Sequence, residues 1–361
     1  MSIRNRTPSG RVTIHDVACK LDLSISTVSS ALNGTGKLKQ STRERVQRAA
    51  AELGYTSSRT ALALRLGRTG TIALALPSAD NGAVPMLDLE FYMSFARAAA
   101  TVAFEAGYAL TFIPPTVKDE SDWHKLDADG VVLCDPVRRD ERLAALERIG
   151  AKVVTVECDP ARPDWRAAVM SDNEANLRAL LEHLYEQGAR RIALIGADTS
   201  WSWAEEGVAA YSAWVAERGL AELVRLVPLD HTLNEPYHAA MALLRGDDRP
   251  DAIIAMAEQY REGVLRACRD TGMRVPDDML VALGIDSSAA ERNDPALTAI
   301  DLQPGLQAKI AVSMLLGLVE GRPVDGPVLS EAFLRVRAST LRKRAGAKPP
   351  RDGAIVKPGG R

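Results

Sequence analysis

The chain of 361 residues has few cysteines, few histidines and no long apolar run. The four cysteines (Cys19, Cys134, Cys158, Cys268) lie far apart and form no CxxC pair, which excludes both a disulfide scaffold and a thiolate zinc site. Free thiols, mostly buried, are expected. The five histidines (His15, His124, His183, His231, His238) never pair at metal-ligand spacing within a cysteine or carboxylate cluster, so no metal site is expected. No GxGxxG follows an aliphatic run. NGTGKLK superficially suggests a phosphate loop, but Ala31 stands where its first glycine belongs and Leu38 where a hydroxyl would bind magnesium. No cofactor and no catalysis are therefore expected. No window offers the roughly 18 consecutive apolar residues of a membrane span. The opening MSIRNRTPSGR carries charge with no hydrophobic region behind it. A cytoplasmic protein with no membrane partner is expected.

What is present suggests a globular chain of two or three domains, with 46% hydrophobic and 25% charged residues. The net charge of −2 conceals an uneven distribution. Residues 1–68 carry 12 Lys and Arg against 4 Asp and Glu, and residues 342–361 carry 7 against 1. The stretch between them holds 26 against 42. A basic head on an acidic body suits a polyanionic partner, because Lys and Arg near phosphates release condensed counterions.

In the head, Thr13 followed three positions later by Asp16 has the form of a capping box, predicting a helix start. Ile14, Val17, Ala18 and Leu21 then recur at helical spacing. After a three-residue break, Ser24 is placed to cap a second helix whose Val28, Ala31 and Leu32 face the first. Two short helices around a tight turn make a helix-turn-helix. The outer face of the second helix carries Ser26, Ser29, Ser30 and Asn33, with Ile25 on its flank. Such residues are poor helix formers, but they let a helix approach another surface closely. The major groove admits one helix, and Ile25 could meet a thymine methyl there. A third helix is expected over STRERVQRAAAELGY, capped near Ser41 or Thr42, with Val46, Ala49, Ala50 and Leu53 inward and Gly54 ending it. Ser58 then opens a short segment through Ala61, Leu62, Ala63, Leu64 and Leu66, flanked by Arg59, Arg65 and Arg68, too short to be a stable helix alone.

These phrases in this order, DVA, STVSSALN, TRERV, AELGY and the alanine-leucine segment before GRTGTIAL, resemble the amino-terminal part of the LacI/GalR family of bacterial repressors. The resemblance implies a DNA-binding regulator in which paired hinge helices insert one leucine each, here Leu64, into the minor groove of a palindromic operator. The residues expected to face DNA are Thr13, Ser24, Ile25, Ser26, Thr27, Ser29, Ser30, Asn33, Ser58, Arg59, Ala61 and Leu64. Departures are also visible. Asp22 replaces the usual turn glycine, which Asp tolerates better than most residues. Ser30 stands where many members have an arginine, which removes a bidentate contact to guanine. Ser57 and Ser58 replace a Pro-Asn pair.

From Thr71 onward, short aliphatic runs alternate with helical segments, as in TIALALP, DGVVLC, KVVTV, RRIALIG, AIIAMA and LVALGID. This predicts an α/β body of parallel sheets, long enough for two lobes with a ligand cleft beyond the strands' carboxyl ends. The body resembles the family's periplasmic-binding-protein-like (type I) effector domain, which implies three crossings between lobes, near 170, 300 and 330, and a homodimer. The expected organisation is a flexible 1–11, a helix-turn-helix domain over 12–56, a hinge helix over 57–68, the two-lobed domain over 69–341 and a basic disordered tail over 342–361.

The effector is harder to read. Asp286 stands where the family often binds ligand hydroxyls, and that chemistry suits a sugar or nucleoside. The family's ligand-binding arginine aligns with Gly207 and its Asn-Asp pair with Ala257 and Glu258. Trp201, Trp203 and Tyr211 crowd the same region, as stacking faces or as core. Asp286, Trp203, Glu157 and Glu258 are the expected effector contacts. Three readings stay open: an effector-responsive repressor, a regulator that has lost its effector response, and a sugar-processing enzyme on the same scaffold, which turnover of candidate sugars would reveal.

Overall fold

The computed structural model describes residues 12–32, 36–55, 68–77, 86–229, 234–342 and 354–356. It divides into two compact units, residues 1–70 and 71–361. In the first, α1 (Ile14–Leu21), α2 (Ile25–Leu32) and α3 (Gln40–Leu53) enclose Val17, Ala18, Val28, Ala31, Val46, Ala49 and Ala50. Asp16 closes the start of α1 by accepting at 2.8 Å from both the backbone N–H and the hydroxyl of Thr13. Asp22 ends it in the left-handed region (φ 54°), its N–H turned back to the carbonyls of Ala18 and Cys19. The Ser24 hydroxyl accepts from the Thr27 N–H at 3.1 Å and so caps α2. The start of α3 differs from expectation, since Lys39 holds the cap position without a side-chain bond and Ser41 lies inside the helix. Gly54 stops α3 at φ 68°, where a side chain would be strained. Cys19 is exposed, and the other three thiols are buried. The hinge expected over 57–68 lies outside the described residues apart from Arg68, as does Asn33.

The second unit begins with β1 (Thr71–Ala75), α4 (Glu90–Glu105), β2 (Ala109–Ile113), α5 (Glu120–Trp123), β3 (Gly130–Cys134), α6 (Glu141–Arg148), β4 (Val153–Val156) and β5 (Ala168–Ser171). It continues through α7 (Asn173–Glu186), β6 (Ile192–Ala197), α8 (Ser202–Glu217), β7 (Leu223–Val227), α9 (Glu235–Arg245), β8 (Ala252–Ala255), α10 (Arg261–Asp270) and β9 (Leu280–Leu283). The last elements are α11 (Ser288–Glu291), β10 (Thr298–Asp301), α12 (Pro304–Val319), β11 (Val328–Ser330), β12 (Phe333–Val336) and β13 (Ala354–Val356).

Two sheets result. The first has the order β11-β5-β4-β3-β1-β2 and is parallel throughout. The second has the order β13-β12-β10-β9-β8-β6-β7, with β12 and β13 antiparallel at one edge. Central strands such as β3, β4, β8 and β9 are buried along their whole length, as near-continuous aliphatic runs require when helices cover both faces. Edge strands β2 and β7 are only partly buried and leave Phe112 and Leu226 exposed. The chain changes sheet after β5, after β10 and after β11, close to the three expected crossings. The tail corrects the sequence reading. Residues 354–356 pair with β12 in the register Leu334↔Val356 and Val336↔Ala354, so three residues of the segment expected to be disordered complete a sheet. Ile355 and Val356 are β-branched, and β12 has an open edge for them.

Candidate functional site

On the head, α2 turns Ile25 and Ser26 fully outward and Thr27, Ser29 and Ser30 partly so. Ile25 is 47% exposed, so its aliphatic surface is available for contact. The hydroxyls of Ser26 and Thr27 both meet the Ser24 hydroxyl, at 2.8 and 2.7 Å, so the start of the helix presents a connected hydroxyl cluster. Thr13 is half-buried at the start of α1. Ser58, Arg59, Ala61 and Leu64 lie outside the described residues.

Within the body, a crevice between the two lobes is partly open to solvent and lined by residues of both. Its walls come from the carboxyl ends of strands in both sheets: Asp135 after β3, Glu157 after β4, Trp201 and Trp203 after β6, Leu229 after β7, Met256 to Gln259 after β8, and Gly284 and Ile285 after β9. This is where open α/β sheets bind ligands, because the chain reverses there and leaves a crevice. Helices α4 and α7 add Phe91, Tyr92, Asn173 and Asn176.

Of the expected effector residues, Trp203, Glu157 and Glu258 line this space, and Asp286 does not. Both Asp286 oxygens are held by Arg337 at 2.7 Å, and one also accepts from the Ser287 N–H, so its carboxylate is committed within its own lobe. Tyr211 is core: fully buried, it donates to the Ile192 carbonyl at 2.7 Å and accepts from the Leu223 N–H. Burial pushes its hydroxyl up to about 12. Gly207 has an explanation in packing. A Cβ there would lie 2.6 Å from the Met256 methyl, so methionine occupies the space into which a longer side chain at 207 would grow.

Asp135 was not anticipated, and it pairs with Glu157. Each directly follows a strand, is almost fully buried and has a positive φ, 42° and 62°. A non-glycine residue held there costs on the order of 1–3 kcal/mol and persists only where surrounding contacts impose it. Those contacts are visible. Asp159 accepts from the N–H groups of Arg139 and Asp140, and the buried Arg142 pairs with Asp140 at 2.6 Å while donating to the Leu76 carbonyl. Tyr92 donates to Asp135 at 2.8 Å, and Glu157 accepts from the Ser171 N–H at 3.0 Å and from Asn173 at 3.2 Å. Burial raises Asp135 to about 7, and burial followed by repulsion from Asp135 raises Glu157 to about 8. Glu258 is raised by burial first and by Glu90 second. Asp135 follows GVVLC as Glu157 follows KVVTV, so an acidic residue at the end of an aliphatic run is a signal that could have found it. Tyr92 and Asn176 carry no such signal, being polar positions within helices.

Bonds between lobes close the crevice. Glu90 on α4 accepts from the N–H and hydroxyl of Ser288 at 2.9 and 2.6 Å, and Arg138 pairs with Glu205. No group of three or more His, Cys, Asp or Glu among the described residues is placed to hold a metal ion.

Residues 13–58 match the bacterial regulatory proteins of the lacI family, and residues 181–340 match the periplasmic binding protein-like domain. The maltose regulon regulatory protein MalI of Escherichia coli is 30% identical over 274 residues, covering 73% of this chain and 78% of that protein. The ribose operon repressor of Halalkalibacterium halodurans is 28% identical over 87% of this chain and 92% of its own. Among solved structures, the lac repressor dimer bound to operator and the anti-inducer ONPF superposes with a TM-score of 0.75 at 22% identity, over 92% of this chain and 100% of that one. The complex of the transcriptional regulator CelR with cellobiose gives 0.68 at 26% identity, over 91% and 100%.

Proposed function

Because this chain belongs to the lacI family of bacterial regulatory proteins, a family of transcriptional regulators and not enzymes, we propose that it represses from a palindromic operator as a homodimer and is tuned by a small molecule held between its lobes. The observation that carries the regulated half of this reading is the crevice at the strands' carboxyl ends, lined by buried polar groups such as Asp135, Glu157 and Asn176. A regulator that had lost its effector response would have no need of such walls, so the cavity favours a responsive protein. Operator contact is assigned to Thr13, Ser24, Ile25, Ser26, Thr27, Ser29, Ser30 and Asn33, with Ser58, Arg59, Ala61 and Leu64 in the hinge. Effector contact is assigned to Trp203, Glu157 and Glu258. Two of the relatives named above are, by their names, a repressor of a ribose operon and a regulatory protein of the maltose regulon, and the CelR structure is a complex with cellobiose. A sugar ring stacked on Trp203 is the corresponding expectation here.

The mechanism is a coupling between two sites through an element with two arrangements. Ligand bonded to both lobes shifts the balance between open and closed crevice. In a dimer that balance sets the spacing of the two heads. No described helix is long and apolar enough to cross a membrane, and the protein's place of work is proposed to be the cytoplasm, where its DNA lies.

Selection of binding sites from random duplexes tests this reading. An inverted repeat is expected, with half-site spacing set by the dimer. Ser30→Arg is expected to change base preference at one position of each half-site, and identical sequence preferences for both proteins would contradict the placement of α2 in the groove.

A further inference from the structure

Three buried polar atoms on the cavity walls have no hydrogen-bond partner among the described residues: Asn176 Nδ2, Trp201 Nε1 and Glu258 Oε2. Asn176 is 5% exposed and Trp201 2% exposed, so both amide and indole N–H groups are shielded from bulk solvent. Native interiors leave few such groups unmet, and a set of them around one space indicates a molecule that supplies the missing partners. Two of the three are donors and need oxygen acceptors. The third is a carboxylate oxygen and needs a donor.

The charge around the space is one-sided. Asp135, Glu157 and Glu258 line it, and among the described residues no Lys, Arg or His does. Glu90 and Glu206 stand just behind, while Arg142 is committed to Asp140. Four aromatic rings, Phe91, Tyr92, Trp201 and Trp203, complete the lining. Aromatic faces with buried carboxylates attract a cation by both the ring quadrupole and direct charge. A neutral sugar could satisfy Asn176 and Trp201, but it offers the carboxyl groups no cation to pair with as they ionise.

We propose that the inter-lobe cavity takes a hydroxylated organic cation, an amino sugar or amino polyol, with its ammonium group among Asp135, Glu157 and Glu258 and its oxygens accepting from Asn176 and Trp201. This rests on the reading of the cavity as the effector site and narrows it to one chemical class.

The protonation state adds a signature. Without a ligand, burial keeps protons on Asp135 and Glu157 up to about 7 and about 8. The groups facing them are Tyr92 from α4, Cys134 on β3, Arg142 from α6, Ser171 at the end of β5, Asn173 at the start of α7, and Glu206 from α8 through Asn173. A bound cation favours the ionised carboxylates, so binding expels protons and tightens as pH rises between about 6 and about 8.

The test is calorimetric titration of the full chain with N-methylglucamine and galactosamine, each against its neutral counterpart, sorbitol and galactose, in buffers of different ionisation heat. At least one amine is expected to bind ten times or more tightly than its counterpart, with measurable proton release near neutral pH. Glu157→Gln and Glu258→Gln, both close in shape to the native residues, are each expected to weaken that amine tenfold or more, with thermal melting confirming that the variants fold. Binding of sorbitol or galactose as tight as the amines would overturn the cationic assignment while leaving the regulatory reading intact. Binding of none of the four probes would overturn the assignment as well, and operator selection would then judge the regulatory reading by itself.

Discussion

Glu157 and Asp135 keep their protons to about 8 and about 7 because burial removes the water that would solvate their charges. Both values lie above the ordinary carboxylate range, so the unfolded chain ionises first. Their contribution to stability is full at acid pH and is lost as pH rises through about 7 and about 8. The unliganded body is therefore expected to lose on the order of a few kcal/mol between about pH 5 and pH 8 from these groups, and Glu157→Gln to flatten the slope. Thermal melting across that range checks it, and a native profile as flat as the variant's would contradict it. His183 behaves oppositely. Burial lowers it to about 4, with its Nε2 2.7 Å from the Thr340 hydroxyl, so its contribution is present above the ordinary imidazole value of 6.5 and disappears as pH falls toward about 4. At Gly207 a Cβ would press on the terminal methyl of Met256, the far end of a flexible side chain beside the crevice, so Gly207→Ala is expected to leave stability within about 1 kcal/mol of the native value, which thermal melting checks.

The elements of the head were legible in the sequence because their signals are local: Asp16 bonds back to Thr13, Ser24 caps its own helix, and Gly54 ends α3. The start of α3 was misread since a hydroxyl three residues into a helix looks like a cap until the chain direction is known. The buried centre of the head is built from Val and Ala, with larger side chains such as Leu21, Leu32 and Leu53 only partly buried around it, which leaves little margin. Val28→Ala is expected to destabilise that unit by about 1–3 kcal/mol, and Ser24→Ala by about 1 kcal/mol, both read as loss of operator affinity at elevated temperature and of head protection in hydrogen exchange. In the body, strands were readable from aliphatic runs and the crevice from their carboxyl ends. The position of Asp286 was not readable. Its partner Arg337 is distant in sequence, and only the sheet that brings β12 beside β10 unites them. The pairing of β13 with β12 escaped notice for the same reason, because three residues in a basic segment carry no periodicity to count.

At the scale of the whole molecule, the contrast between a head of 12 basic against 4 acidic residues and a body of 26 against 42 separates attraction to DNA from repulsion by it. Operator binding that neutralises about six to ten phosphates is expected to weaken by on the order of 10³ to 10⁵ between about 50 and 200 mM salt. A salt series of operator affinities measures this, and a flat series would show that phosphate contact contributes little. The three passages of the chain between the sheets have a further consequence. Three connections side by side act as a flexure: they allow the halves to swing about the line they define and oppose twisting or sliding. Neither half exists as an uninterrupted fragment, so excising one by truncation should yield an unfolded product. Obtaining one alone would require rejoining its pieces in a new order.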